Sequence, residues 1–269
     1  MQEISGKEIA ERIIERLKSQ SKPQKTLAAI LVGDNPSSIS FLRQKQKIAE
    51  ELGVNFEIHK FDESISESDL VKKVKEMGES ENIGGVIIQL PLPKNFNREN
   101  ILNAIPKEKD VDALNGAPVL PPAVEVAREI LETINYKLET GKIAVVGLGF
   151  LVGRPISEWL KGNPSTGLRA RCAELYLLDI GDSLDVLKNA DLVITGVGKA
   201  GLIKPEMLRN GAVIIDFGYD SVNGKISGDF DINNLKANEA EGLTYTPTPG
   251  GTGPILVAKL FENFYKLNS

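Results

Sequence analysis

The chain has 269 residues, of which 41% are hydrophobic and 26% charged, with a formal net charge of −5 and a pI near 5.2. That is apolar mass for two cores, and the charge has the wrong sign for non-specific nucleic-acid binding. One cysteine, Cys172, and one histidine, His59, exclude an internal disulfide, a His/Cys metal cluster and a His-based triad with a spare proton shuttle.

The first half alternates helix and strand signals. Ser5 and Glu8 stand in capping-box spacing before the periodic run "SGKEIAERIIERLKSQ". "TLAAILVG" is short and continuously apolar, the pattern of a strand covered on both faces. "DNPSSISFLRQKQKIAEELG" then turns into a helix that ends at Gly53. In the next strand, "VNFEIHKF", alternation predicts a structural role for His59. Ser66 and Asp69 cap a third helix reaching about Met77, and "GGVIIQLPLP" is a strand stopped by Pro91 and Pro93. Pro121 and Pro122 precede a linker helix, "PPAVEVAREILETINYKLETGK". A second series follows from Ile143: "IAVVG", "ELYLLD", "ADLVITGVG", "GAVIIDFG" and "LTYTPTPGG". This alternation predicts two α/β domains built on parallel strands, with a boundary near residue 120. Gly162–Ala173, which contains Cys172, reads as a surface loop, and Cys172 as a bystander. No basic-then-apolar leader opens the chain, and no apolar run approaches the roughly 18 residues of a membrane span. The expectation is a soluble cytoplasmic protein.

"VVGLGFLVGRP" places Gly147, Gly149 and Gly153 between a strand and a helix. Glycines there let the backbone approach a pyrophosphate, while helix-start amides supply donors. The spacing is GxGxxxG, and the same glycines also suit a purely structural tight turn. "ELYLLD" ends at Asp179, where a Rossmann acidic residue would accept hydrogen bonds from the adenosine ribose. A carboxylate there repels a 2′-phosphate, which favours NAD over NADP. Asp182 adds negative charge nearby and equally fits a helix N-cap.

Taken together the motifs resemble one family, the FolD-type bifunctional methylenetetrahydrofolate dehydrogenase/methenyltetrahydrofolate cyclohydrolases. The resemblance runs in order through "GGVIIQLPLP", "IPKEKDVDALN", "VVGLGFLVGRP", "ADLVITGVGKAGLIKPEMLRNGAVIIDFG" and "TPTPGGTGPILVAKL". It implies an N-terminal catalytic, folate-binding domain over 1–120 completed by the C-terminal helix 252–269. A Rossmann-type dinucleotide-binding domain would occupy 121–251, with a cleft between the two. It further implies a homodimer, a folate substrate, a nicotinamide dinucleotide (NAD or NADP), no metal and no nucleic-acid or membrane partner. The implied chemistry oxidises 5,10-methylenetetrahydrofolate and hydrolyses the methenyl product to 10-formyltetrahydrofolate.

Carried over residue by residue, the resemblance makes Lys45 the catalytic lysine, Gln89 its orienting amide and Asp112 the acceptor of pterin N–H bonds. Phe41, Pro249, Gly250 and Gly251 would contact the substrate. Gly147, Leu148, Gly149, Gly153, Asp179, Val197 and Gly198 would contact the cofactor. Proton transfer at neutral pH asks for a lysine brought from about 10.4 to about 7, roughly 4 to 5 kcal/mol of differential destabilisation. Desolvation or a nearby cation would supply it, and the methenyl substrate is itself a cation.

The chain departs from the family pattern at several positions. Phe41 stands where the family motif has Tyr, so an aromatic ring remains but the phenolic donor is gone. Gly147-Leu148-Gly149 replaces the usual Gly-Arg-Ser, and Asp179 lies near the family's His-Ser segment, both weakening recognition of a 2′-phosphate. "LPPAV" stands in place of Pro-Cys-Thr-Pro. The residues therefore also admit a monofunctional NAD-dependent dehydrogenase, or a folate- or nucleotide-binding homologue without activity.

Overall fold

A computed structural model describes residues 1–162, 172–222, 224–234 and 242–269. Most of the predicted Gly162–Ala173 loop therefore lies outside the described residues. The chain divides into two compact units, one of Glu11–Pro122 with Val257–Ser269, the other of Met1–Ala10 with Ala123–Leu256.

The first unit is built on β2 (Thr26–Val32), β3 (Phe56–Phe61) and β4 (Ile83–Ile88), all parallel in the order β3-β2-β4. Leu27, Ala28, Ala29 and Ile30 of the central strand are fully buried, as its unbroken apolar run requires. β3 is an edge strand and is only partly buried, with Glu57, Ile58 and Lys60 exposed. Its His59 is half-buried, and Nε2 lies 3.2 Å from Glu57 Oε2, a surface contact. Helix α1 (Gly6–Lys18) begins with the Glu8 amide donating to Ser5 Oγ. α2 (Pro36–Leu52) is capped by Asn35 and ends at Gly53, whose φ of 66° suits a residue without Cβ. α3 (Glu67–Glu79) is capped by Ser66, and the short α4 (Arg98–Leu102) by Asn97. α7 (Thr252–Leu267) buries Phe261 and Phe264, and most of it groups with this unit.

The second unit carries six parallel strands in the order β1-β11-β8-β7-β5-β6. They are β1 (Gln2–Glu3), β5 (Lys142–Val146), β6 (Glu174–Leu178), β7 (Leu192–Thr195), β8 (Val213–Asp216) and β11 (Thr244–Tyr245). Because β1 pairs with β11, Met1–Ala10 groups here, whereas the sequence places those residues with the N-terminal domain. α5 (Pro122–Thr133) precedes β5, and α6 (Gly153–Leu160) follows it. The sequence reading expects helical crossovers throughout. Between β6 and β7, however, and again between β7 and β8, there are only 3-10 segments, Asp185–Asn189 and Pro205–Met207. An antiparallel hairpin, β9 (Asp220–Val222) with β10 (Lys225–Ser227), is a further addition that the alternation does not reveal. The core of this unit gathers Ala144, Val193, Ile203, Ile214 and Leu243. Among the described residues, no helix is long and apolar enough to cross a membrane.

Near the end of α7, Glu262 is bound by Lys259 at 3.1 Å, Lys266 at 3.2 Å and Arg16 at 2.6 Å. Burial pushes its carboxyl up, but these three cations outweigh burial and hold it at about 2. A folded value below the ordinary one stabilises the protein fully above about pH 4.5, and that stabilisation is lost as pH falls towards 2. It amounts to the order of 3 kcal/mol. Replacing Glu262 by Gln should lower Tm at pH 7 and flatten the loss of Tm below pH 4.5. Parallel Tm–pH curves for the two proteins would contradict this.

Candidate active site

In the first unit, Ser38, Phe41 and Lys45 recur at helical intervals along one side of α2. Gln89 is the first residue beyond β4. Its amide donates to Ile30 O at 2.9 Å, extending the sheet by one step before Pro91 ends the pairing. The buried Gln89 side chain then accepts from Lys45 Nζ at 3.0 Å and donates to Leu90 O at 2.9 Å. Its orientation is thereby fixed, with the carbonyl oxygen towards the lysine. Ser38 Oγ also donates to Leu90 O, at 3.4 Å. Sequence reasoning passes over Ser38, although its spacing from Phe41 and Lys45 is the available signal.

Burial lowers the pKa of Lys45, while the Asp112 carboxylate acts in the opposite sense. Burial raises that of Asp112, and Lys45 opposes it. Amine and carboxyl are thus both drawn towards neutrality, and each is the other's electrostatic partner. Among the described residues, the half-buried Asp112 carboxylate accepts no hydrogen bond from the protein. A carboxylate positioned this way has its acceptor sites open to a ligand.

The backbone around Asp112 is held from both sides. Asn263 of α7 donates to Val111 O at 2.9 Å and to Leu120 O at 2.8 Å. Asp110 Oδ2 accepts from the Leu114 amide at 2.7 Å and the Asn115 amide at 2.9 Å. Between these clamps Ala113 adopts a φ of 53°, a left-handed conformation that costs an L-residue about 1 to 2 kcal/mol. Burial pushes the Asp110 carboxyl up to about 6, against the pull of the Asn115 amide. The sequence reading assigns Asp110 a structural role, and its bonds are of that kind. Asn263 is a contributor with no local sequence signal, because it acts from a helix more than a hundred residues away.

The second unit holds the glycine turn. Gly147 has a φ of 83°, and its amide donates to Leu178 O at 2.8 Å. A Cβ on Gly153 would lie 1.8 Å from Gly147 O, so only glycine lets α6 start this close to the turn. Gly149 has open space around it and Leu148 is half-buried. A pocket of about 190 Å³ beside the turn is lined by Gly147, Asp179, Ile180, Val197, Lys199 and Leu202, among others. The exposed Asp179 carboxylate also accepts no protein hydrogen bond among the described residues. Asp182 instead accepts the Asp179 amide at 2.8 Å; it closes a turn there and does not cap a helix. Gly198 follows Val197 with a φ of 73°.

Pro249, Gly250 and Gly251 also lie in the second unit, before α7. Pro249 is exposed, and Gly250 has a φ of 103°. A Cβ on Gly251 would lie 2.4 Å from Pro247 O. Cys172 is half-buried and burial raises its thiol pKa, away from the reactive thiolate.

A glycine turn after β5 of a parallel sheet, with a carboxylate just beyond the neighbouring strand β6, defines the second unit as Rossmann-type. Residues 4–112 match the catalytic domain of tetrahydrofolate dehydrogenase/cyclohydrolase, and residues 121–269 its NAD(P)-binding domain. The chain belongs to this family. It is 33% identical over 280 residues to the bifunctional protein FolD of Nautilia profundicola, covering 98% of this chain and 95% of that one. The crystal structure of the bifunctional FolD enzyme of Campylobacter jejuni superposes with a TM-score of 0.88 at 28% identity, covering 98% of this chain and 97% of that one. A silkworm (Bombyx mori) 5,10-methylenetetrahydrofolate dehydrogenase gives 0.87 at 28% identity, covering 100% and 98% respectively. The chain is accordingly an enzyme of one-carbon folate metabolism with dehydrogenase and cyclohydrolase activities and a nicotinamide cofactor.

The clamp on Asp112 leads to a direct expectation. Asn263→Leu strands two carbonyls, each costing about 1 to 3 kcal/mol if left unpaired. Tm should fall and the KM for the folate substrate should rise. An unchanged Tm would show that the carbonyls find other partners.

Proposed function

We propose that Lys45, Gln89 and Asp112 bind and process the reduced pterin, and that the Gly147–Gly153 turn with Asp179 holds NAD in preference to NADP. The observation that carries the first part is the Lys45–Gln89 hydrogen bond beside an open Asp112 carboxylate. Asp112 would accept paired pterin N–H groups, a good use of a planar carboxylate. Gln89 holds the lysine Nζ without adding a counter-charge, so burial can keep part of the lysine population as free amine. That amine takes a proton from attacking water during hydrolysis and returns it on ring opening. The methenyl substrate's own positive charge further favours the neutral amine. Phe41 offers a ring face to a flat substrate and no hydroxyl, so any relay beyond Nζ runs through water.

The second part rests on the cofactor turn, whose close Gly153–Gly147 approach leaves backbone amides free of Cβ obstruction. The bound dinucleotide supplies the hydride acceptor. Asp179 would accept from an unmodified ribose diol, and neither Leu148 nor Gly149 offers a charge or hydroxyl to a phosphate there. Val197 and Gly198 would line the same site, and the family resemblance assigns Pro249, Gly250 and Gly251 to substrate contact. We also infer a homodimer from the family resemblance; a monomeric mass by light scattering at assay concentration would reject it.

Two measurements test the assignment. Lys45→Met should reduce methenyl hydrolysis to the buffer rate; hydrolysis at the unaltered rate would remove Lys45 from the mechanism. Asp179→Ser should raise the ratio of kcat/KM for NADP to that for NAD by about tenfold, as expected when a repulsive element is deleted. An unmoved ratio would take cofactor choice away from this position.

A further inference from the structure

Asp229 is fully buried and comes from the return segment after β10, about thirty residues beyond the turn that it serves. Its Oδ2 accepts from Thr195 Oγ1 at 2.7 Å and from the Val197 amide at 2.7 Å, and its Oδ1 from the Lys199 amide at 2.8 Å. All three donors belong to β7 or to the turn that leaves it. The neighbouring backbone is docked to the same segment: Gly201 donates to Gly228 O at 3.0 Å and Ile203 to Asp229 O at 2.8 Å.

Two glycines make room for this arrangement. A Cβ on Gly218 would lie 2.3 Å from Asp229 Oδ1, and one on Gly228 would lie 2.1 Å from Asp216 Oδ2. Asp216, also buried, accepts from the Gly218 amide at 2.6 Å and the Phe230 amide at 3.0 Å. Burying two acids side by side is expensive unless each is saturated by donors. Here the donors are mostly backbone amides, so the cost is offset by fixing the path of the chain.

We propose that Asp229 is a positioning residue of the dinucleotide site, holding the Val197–Lys199 backbone where it lines the cofactor pocket while touching no ligand itself. The inference rests on the reading of Val197 and Gly198 as cofactor contacts. An amide cannot replace this carboxylate. Asn has one acceptor oxygen for three donors, and its NH₂ would face a backbone N–H.

The test is steady-state dehydrogenase kinetics with direct dinucleotide titration. Asp229→Asn should raise the dinucleotide Kd and KM by about tenfold or more, with less than about a twofold change in the KM for the folate substrate. Thr195→Val, which removes one donor and buries no mismatched group, should shift the same constants in the same direction by a smaller factor. Thr195→Ser, which keeps the hydroxyl, should restore them, and this pair decides the matter if Asp229→Asn does not fold. Unchanged dinucleotide constants in Asp229→Asn and Thr195→Val would overturn the proposal. So would equal losses for both substrates tracking a fall in Tm, the mark of a merely structural residue. If the unaltered chain binds no dinucleotide, the cofactor site and this role fall together, whereas binding that Asp229→Asn leaves unmoved removes this role alone.

Discussion

Parallel strands within each sheet point the same way, and this single constraint gathers the chemistry. In a parallel sheet the turns leaving the strands collect along its carboxyl edge. In the first unit Gln89 leaves β4 there, one hydrogen bond past the last paired residue. In the second, Gly147, Asp179, Val197 and Asp216 lie at or just beyond the ends of β5, β6, β7 and β8. Once Ile30 and Ile88, or Val146 and Thr195, are in register, the turns that follow are brought together within their unit.

The strands that set this register were readable in the sequence because they are buried on both faces. "TLAAILVG" and "GGVIIQLPLP" have no alternation to misread, and proline ends the second abruptly. Caps were readable for a similar reason: Ser66 and Gly53 act on backbone within three or four residues of themselves. Lys45, Gln89 and Asp112 came from motif resemblance, because helix periodicity treats Lys45 as an ordinary exposed lysine. Asn263 and Asp229 carry no local signal at all. Each acts across thirty or more residues on backbone carbonyls or amides, and such contacts exist only after the chain has folded. The β9–β10 hairpin and the pairing of β1 with β11 were missed because three- and two-residue strands are too short to show a period.

The carboxylates in these sites sort by how completely the protein itself satisfies them. Asp229 takes three donors and Asp216 two, so neither has a favourable vacancy for a ligand. Asp110 is intermediate: two amides bond its Oδ2 and bend the chain around Ala113, while its buried Oδ1 has no hydrogen-bond partner among the described residues. Asp112 and Asp179 accept nothing from the described protein, yet one is half-buried against a lysine and the other stands at a pocket mouth. A saturated acid stabilises a backbone path, and an unsaturated one in a concave site lowers its energy by meeting a donor from outside. On that ground the same residue type serves as scaffold at positions 216 and 229, and the proposed ligand acceptors are 112 and 179. The neighbours differ accordingly: Gly218 crowds against Asp229 and Gly228 against Asp216, where no Cβ could fit.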